Sequence, residues 1–322
     1  MMRIAVLTSG GDSQGMNAAV YAVVRTALDN GAEVFGVEDG YQGLIEGRLH
    51  QMTAKSVDGI IHLGGTVLGT SRCPEMKTPE GQDKAYKTLK ENDIEGLVVI
   101  GGDGSFQGAK ILATKYGVKT MGIPGTIDND LAYTDFTLGF DSAVNAVMQT
   151  IKMLRDTMTC NKRSCVVEVM GRNCGDIALH AGITSGAEMI IVPEVRTTFE
   201  EVVERLQYNL DHGKFDNIIV LAEGAGKAVD MEAKLRAKME INLRSMVVGH
   251  LQRGGDASYA DRLLGIRMGE HAVKCIMEGK SSRVVGIVHD QIIDEDIVEA
   301  LAKRKSFDRS LYDIANKLVT SY

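Results

Sequence analysis

Eight short runs of β-branched and aliphatic residues punctuate the chain: RIAVLTS, GLVVIGG, KTMGIPG, SCVVEVMG, MIIVPEV, NIIVLAEG, SMVVGHL and VVGIVHD. Each is nearly all apolar, so each is expected to be buried on both faces, as strands are in a parallel sheet covered by helices. The stretches between them have helical period. In DSAVNAVMQTIKMLRDT, residues Val144, Val147, Met148, Ile151 and Leu154 fall near one face, and Asp141 is placed to cap the start. In TTFEEVVERL, Thr198 and Glu201 have the spacing of a capping box. Strand alternating with helix throughout predicts a doubly wound α/β architecture with right-handed crossovers. Such sheets collect ligands at the carboxyl ends of their strands. The glycine-rich turns at 10–12, 101–105, 124–130, 170–176 and 223–226 fall there.

Composition narrows the class. The 322 residues leave room for two domains, and the turns divide between two strand-rich halves, which suggests a cleft between them. No window approaches the about 18 uninterrupted apolar residues of a membrane span. The start, MMRIAVLTSGG, reads as a first strand and not as a signal peptide. Cys73, Cys160, Cys165, Cys174 and Cys275 are odd in number and form no CxxC pair, so neither a disulfide framework nor a zinc site is expected, and a reducing cytoplasm is. His50, His62, His180, His212, His271 and His289 show no metal spacing and are expected at the surface or in packing. The net charge of −7 argues against general nucleic-acid affinity but leaves room for a local arginine pocket. Sixteen methionines without a tryptophan suit gap-filling in a core.

Three turns in the first half carry chemistry. In TSGGDSQGMNAAV a strand ends at Thr8, Gly10 and Gly11 permit close approach of backbone, and a helix starts near Met16, which suits an anion at a helix N-terminus. Neither GxGxxG nor GxxxxGK[ST] is present, and a plain strand-to-helix turn stays open. In GGDGS, Asp103 would repel a phosphate unless a divalent cation lay between them, which asks for Mg²⁺; a helix-capping aspartate is the other reading. GIPGTIDNDL supplies Thr126, Asp128 and Asp130, enough for one carboxylate to take a hydroxyl proton while another helps position the metal or the base. An Asx-rich surface turn is the alternative there. In the second half, Arg172, His250 and Arg253 sit at strand ends and Glu223 closes IIVLAEG. A guanidinium fork matches a phosphate monoester, and a glutamate can accept from sugar hydroxyls.

In order and spacing, TSGGDSQGMNAA, GGDGS, PGTIDNDL, MGRNCGD, VPE, AEG and GHLQRGG resemble the bacterial ATP-dependent 6-phosphofructokinases over essentially the whole chain. The resemblance implies two Rossmann-like α/β/α domains with mainly parallel sheets and an active site in the cleft between them. Residues 1–139 plus 252–305 would bind ATP and Mg²⁺, and residues 140–251 plus 306–322 would bind fructose 6-phosphate. It implies a glycolytic phosphotransferase that phosphorylates the 1-hydroxyl of D-fructose 6-phosphate, giving fructose 1,6-bisphosphate and ADP. Asp128 would be the base with Thr126 and Asp130 beside it, Asp103 would serve the metal, Arg172 would lie near the transferring phosphoryl group, and Gly11 belongs to the same catalytic set. Gly11, Tyr41, Arg72, Cys73, Gly102, Asp103, Gly104 and Ser105 match ATP contacts. Thr126, Ile127, Asp128, Met170, Gly171, Arg172, Glu223, His250, Leu251, Gln252 and Arg253 match the sugar-phosphate site. Arg163 and Arg244 match residues contributed by a neighbouring subunit, which implies a homotetramer with shared active sites.

Pyrophosphate-using relatives carry an aspartate after GGD and a lysine before TIDND, whereas this chain has Gly104 and Gly125. A carboxylate at 104 would crowd an α-phosphate, and two glycines are expected to leave the nucleotide pocket open, favouring ATP. At the family's effector site Arg25, Arg155, Glu188 and Lys214 are retained, but Tyr21, Ala54, Gly59 and Phe215 stand where allosteric members carry charge, so control by ADP or phosphoenolpyruvate is expected to be weak or absent. Gln14, where many members have proline, is expected to loosen its turn, and TCN at 159–161, where many have SSH, precedes Arg163. The alternatives are a pyrophosphate-dependent or tagatose-6-phosphate-preferring kinase, or a nucleotide sensor that has lost catalysis.

Overall fold

The computed structural model describes residues 1–318 and divides the chain into two units. The first holds Met1–Ile127, Leu131–Ser142 and Arg253–Lys305; the second holds Asp128–Asp130, Ala143–Gln252 and the described residues from Ser306 onward. Residues 319–322, which the sequence reading gives to the second domain, lie outside the described residues.

In the first unit the order is β1 (Arg3–Thr8), α1 (Met16–Asp29), β2 (Glu33–Val37), α2 (Gly40–Glu46), β3 (Leu49–Met52), α3 (Pro79–Glu91), β4 (Gly96–Gly101), α4 (Asp103–Tyr116) and β5 (Lys119–Pro124). The chain enters the second unit within α5 (Phe140–Asn161). There follow β6 (Ser164–Val169), α6 (Asp176–Thr184), β7 (Met189–Ile191), α7 (Phe199–Asp211), β8 (Ile218–Ala222), α8 (Ala228–Lys238) and β9 (Leu243–Val247). It returns to the first unit for α9 (Tyr259–Met277), β10 (Arg283–Val288), β11 (Gln291–Asp296) and α10 (Ile297–Ala302), and α11 (Arg309–Leu318) rejoins the second.

The first sheet runs β11-β10-β5-β4-β1-β2-β3. Its inner strands are parallel and both edges, β3 and β11, are antiparallel. Successive side chains of β1 alternate between two cores: Ile4 and Val6 pack on one side, Ala5 and Leu7 on the other. Val98 and Ile100 against Leu97 and Val99 do the same in β4, which is why these runs are apolar without a break. Consecutive strands depart to opposite sides of β1, so a switch point lies between β1 and β4. On one face α9 lies against α1 through small residues. A Cβ on Gly265 would come within 2.8 Å of the Gly15 carbonyl oxygen, and one on Gly269 within 2.7 Å of that of Ala19.

The second unit's sheet, β7-β8-β6-β9, is wholly parallel, with its switch point between β6 and β9. Its core joins Val166, Ile219 and Leu221 to Val202 and Leu206 of α7 and Leu235 of α8. The Thr198 capping box forms as expected, with Thr198 N–H donating to Glu201 Oε2 (2.6 Å) and Glu201 N–H to Thr198 Oγ1 (3.3 Å).

Several expectations need correction. The run SMVVGHL gives an edge strand that starts earlier, at Leu243, and leaves Met246 and Val247 exposed, because no strand among the described residues pairs with its outer side. Asp141 lies in the first turn of α5 and not at its cap. Asp261 of α9 caps that helix instead, accepting from the backbone N–H groups of Gly139 (2.8 Å) and Ser142 (2.9 Å) and from the Ser142 hydroxyl (2.6 Å). Gln14 does not loosen its turn: it is buried, and its Nε2 donates to the Gly254 carbonyl at 2.8 Å.

Candidate active site

The first unit gathers its glycine-rich turns at the carboxyl ends of β1, β4 and β5. Ser9 N–H donates to the Ile100 carbonyl at 2.9 Å and Gly125 N–H to that of Gly101, also at 2.9 Å, so the three turns are stitched side by side. Gly10, at φ 92°, adopts a backbone that β-carbon-bearing residues avoid. Gly11 lacks a side chain because Arg253 lies over it: a Cβ there would be 2.8 Å from a guanidinium nitrogen, and the same group donates to the Asp12 carbonyl at 2.5 Å. Arg253 therefore stands with the first turn, although its motif places it among the sugar-phosphate residues.

Asp103 stands in the first turn of α4, whose N-cap is Gly102. It is exposed, as is Gly104, and a Cβ at 104 would meet no atom within 4 Å. A hard oxygen donor at a helix N-terminus next to open space suits a cation bridged to an anion. Ser105 is buried and donates to the Ser9 carbonyl at 3.1 Å, and its own carbonyl accepts from Tyr41 Oη at 2.7 Å. Tyr41 is itself buried against Gly108, which pushes its phenol pKa up, so this ring props the loop from behind. Arg72 is exposed and Cys73 half-buried at the start of a 3₁₀ turn. Gly125 departs from expectation. A Cβ there would press on Met16 Cε (2.8 Å) and Ile100 Cγ2 (3.2 Å), so this glycine serves packing beneath the turn and does not open space.

Past β5, Thr126 is half-buried, and its carbonyl accepts from Thr137 Oγ1 at 2.6 Å; Ile127 is buried. The next three residues pack with the second unit. Asp128 is 1% exposed, and its Oδ2 lies 3.2 Å from Arg172 Nε. Asn129 holds a left-handed backbone at φ 51° while its Nδ2 donates to Asp176 Oδ2 at 2.9 Å, and Asp130 is exposed.

The turn after β6 is equally constrained. Gly171 has φ 131° and Arg172 φ 53°; a Cβ on Gly171 would strike the Cys174 carbonyl at 2.4 Å. Such backbone persists only where its surroundings over-determine it. Here Arg172 N–H donates to Glu223 Oε1 (2.9 Å), Gly175 N–H to Glu194 Oε1 (2.8 Å), and Met170 N–H to the fully buried Gln252 Oε1 (3.1 Å). His250 and Leu251 are exposed on the 3₁₀ turn Gly249–Arg253. Asn129, Asp176 and Glu194 thus hold up the site without having been singled out from sequence; the motif letters PGTIDND, MGRNCGD and VPE contained them, but their role depends on a fold the letters do not show.

Arg163 and Arg244 stand elsewhere. Arg163 precedes β6, and Arg244, second in β9, pairs with Cys165, so both sit at the amino edge of the sheet that carries Met170 and Arg172 at its carboxyl edge. The length of β6 separates the two edges by roughly 20 Å. Arg155, Glu188 and Lys214 do cluster. The carboxylate of Glu188, 5% exposed, takes Arg155 at 3.3 Å, Lys214 at 3.3 Å and the Ile218 N–H at 2.6 Å. Arg25, Ala54 and Gly59, in the first unit, are exposed.

The phosphofructokinase family model matches residues 3–276. An ATP-dependent 6-phosphofructokinase of Clostridium tetani is 56% identical over 318 residues, 99% of each chain, and one of Clostridium botulinum is 53% identical over the same span. Among solved structures, phosphofructokinase from Saccharomyces cerevisiae superposes with a TM-score of 0.89 at 35% identity; the match covers 99% of this chain and 48% of the yeast chain, so the chain spans about half the yeast protein's length. Spanning nearly the whole sequence at this identity, the chain belongs to the phosphofructokinase family.

Proposed function

We propose that this protein transfers the terminal phosphoryl group of ATP to the 1-hydroxyl of D-fructose 6-phosphate, giving fructose 1,6-bisphosphate and ADP in glycolysis. The observation that carries the reading is the Asp128–Arg172 pair: a buried carboxylate and an exposed guanidinium 3.2 Å apart, each on a turn braced by further hydrogen bonds. Asp128 accepts the proton of the attacking hydroxyl, with Thr126 and Asp130 flanking it. Arg172, 64% exposed, swings its charge to the phosphoryl oxygens as negative charge spreads there. Full-length similarity to ATP-dependent relatives supports the same chemistry.

The first unit takes the nucleotide. Its phosphates run over Gly11, Gly102, Gly104 and Ser105, where the backbone is bare and the space beside Gly104 is open. Asp103 fits a magnesium ion by its donor type and exposure, and that ion would neutralise phosphate charge when bound. The second unit takes the sugar phosphate through Met170, Gly171, Glu223 and His250. Arg163 and Arg244 lie too far along their sheet to join that set in the same chain. Arg163 Nε is buried with no hydrogen-bond partner among the described residues, which supports its serving a neighbouring subunit in a homotetramer.

The test is a coupled turnover assay with fructose 6-phosphate and Mg²⁺, comparing ATP with pyrophosphate. ATP should support turnover and pyrophosphate should not. Turnover with pyrophosphate alone, or nucleotide binding without turnover, contradicts the reading.

A further inference from the structure

Outside the proposed active site, one side-chain cluster has the chemistry of a metal centre. His271 and Cys275 lie one turn apart on α9, and Asp294 projects from β11. Their donor atoms form a triangle: His271 Nε2 to Asp294 Oδ1 is 2.9 Å, Cys275 Sγ to His271 Nε2 is 3.4 Å, and Cys275 Sγ to Asp294 Oδ1 is 3.5 Å. Zinc–ligand bonds of about 2.0–2.3 Å at tetrahedral angles require edges of roughly 3.4–3.6 Å. Two edges already match, and the third needs to open by about half an ångström.

We propose that His271, Cys275 and Asp294 bind a zinc ion, with water completing a tetrahedral shell. Cys275 is 1% exposed and the side chain of Asp294 11%, while that of His271 is 27% exposed and leaves an approach from solvent. Coordination makes the thiol a thiolate, and its proton leaves to solvent. The carboxylate is held in a ligating orientation before any metal arrives. Its Oδ2 accepts from Arg283 Nε, a guanidinium NH2 of the same arginine donates to the Asp294 carbonyl at 2.7 Å, and Oδ1 is left facing His271 and Cys275. Outer hydrogen bonds of this kind fix first-sphere ligands in known metal sites. In the apo chain Lys280 supplies the positive charge, its Nζ lying 3.3 Å from Oδ1 and 3.7 Å from Sγ. The metal displaces that ammonium, which has Glu278 at 3.4 Å as its other partner. Thiolate and imidazole donors select a zinc-like ion over magnesium, so this centre is separate from nucleotide-linked metal. Its effect is to pin the edge strand β11 to α9.

The full-length protein, stripped with chelator and free of nucleotide and sugar, is titrated with cobalt(II). One equivalent should give thiolate-to-cobalt charge-transfer absorption and tetrahedral d–d bands, both displaced by zinc. Cys275→Ser should abolish the charge-transfer band, His271→Gln should weaken cobalt binding at least about tenfold, Lys280→Met should tighten it, and Cys160→Ser, at an exposed thiol, should change nothing. Absence of the charge-transfer band in the parent, its survival in Cys275→Ser, or unchanged affinity in the partly exposed His271→Gln overturns the proposal. His271→Gln decides the matter even where Cys275→Ser does not fold.

Discussion

Replacing Gly104 by aspartate isolates the electrostatics of the nucleotide turn from its sterics. A Cβ at 104 meets nothing within 4 Å, and the residue sits in the first turn of α4 with an ordinary negative φ, so the fold accepts the side chain. A carboxylate at a helix N-terminus even adds about 0.3–1 kcal/mol of stability. Against a bound triphosphate the same charge is unfavourable. Two unit charges 4 Å apart repel by about 1 kcal/mol in bulk water and about 4 kcal/mol at the effective dielectric of a protein surface. A middle value of about 2 kcal/mol lowers kcat/KM for ATP by about thirtyfold. Steady-state kinetics with varied ATP, beside thermal unfolding, reads both effects; Gly104→Ala is the steric control and should keep ATP use. An aspartate variant with parental ATP kinetics would refute the placement of the phosphates beside Gly104, since the added charge would then face no ligand.

Three further outcomes follow from the same geometry. Gly171→Ala puts a methyl group 2.4 Å from the Cys174 carbonyl at φ 131°, so it should lower stability by about 1–3 kcal/mol and raise KM for fructose 6-phosphate by displacing Arg172; unchanged melting and KM would contradict this. Burial lifts the carboxyl of Asp261 from 3.8 to about 6, against the hydrogen bonds from Ser142 and Gly139 that lower it. A carboxyl raised in the folded state contributes stability that is complete below its unfolded pKa and is lost as pH climbs through about 6. That is about 3 kcal/mol, and Asp261→Asn should flatten the fall in denaturant-measured stability between pH 4 and 6.5; an identical slope in the variant refutes the assignment. Because Arg155 and Lys214 are both engaged by the buried Glu188, fructose 6-phosphate saturation should not turn strongly sigmoidal with phosphoenolpyruvate and revert with ADP, and a clear switch of that kind would count against the reading.

What the sequence revealed follows from burial. β1 and β4 were legible because both faces are covered, which leaves Ile4–Leu7 and the whole of β4 apolar. EVFGV, LHQM and QIIDED escaped notice because β2 begins with a glutamate, and β3 and β11 are edge strands whose outer sides tolerate polar residues. Missing β11 also hid Asp294 from His271 and Cys275, whose one-turn spacing means little until a strand supplies the third donor. Asp103, Asp128 and Arg172 could be picked out as candidates because they stand in glycine-rich turns that follow apolar strand runs. Their bracing could not, since Asn129 with Asp176 and Arg172 with Glu223 meet only after folding. Gly104 and Gly125 read alike as letters; the first faces open space and the second faces Met16 and Ile100.

The central claim is that Asp128 takes the proton from the sugar hydroxyl. Asp128→Asn keeps the shape of this side chain, and its partner Arg172 is exposed enough to be rehydrated, so the variant should fold and bind sugar normally. Its kcat with ATP and fructose 6-phosphate should fall by about 10²–10⁴ while KM for the sugar stays within a few-fold. A variant that turns over as fast as the parent would contradict the account.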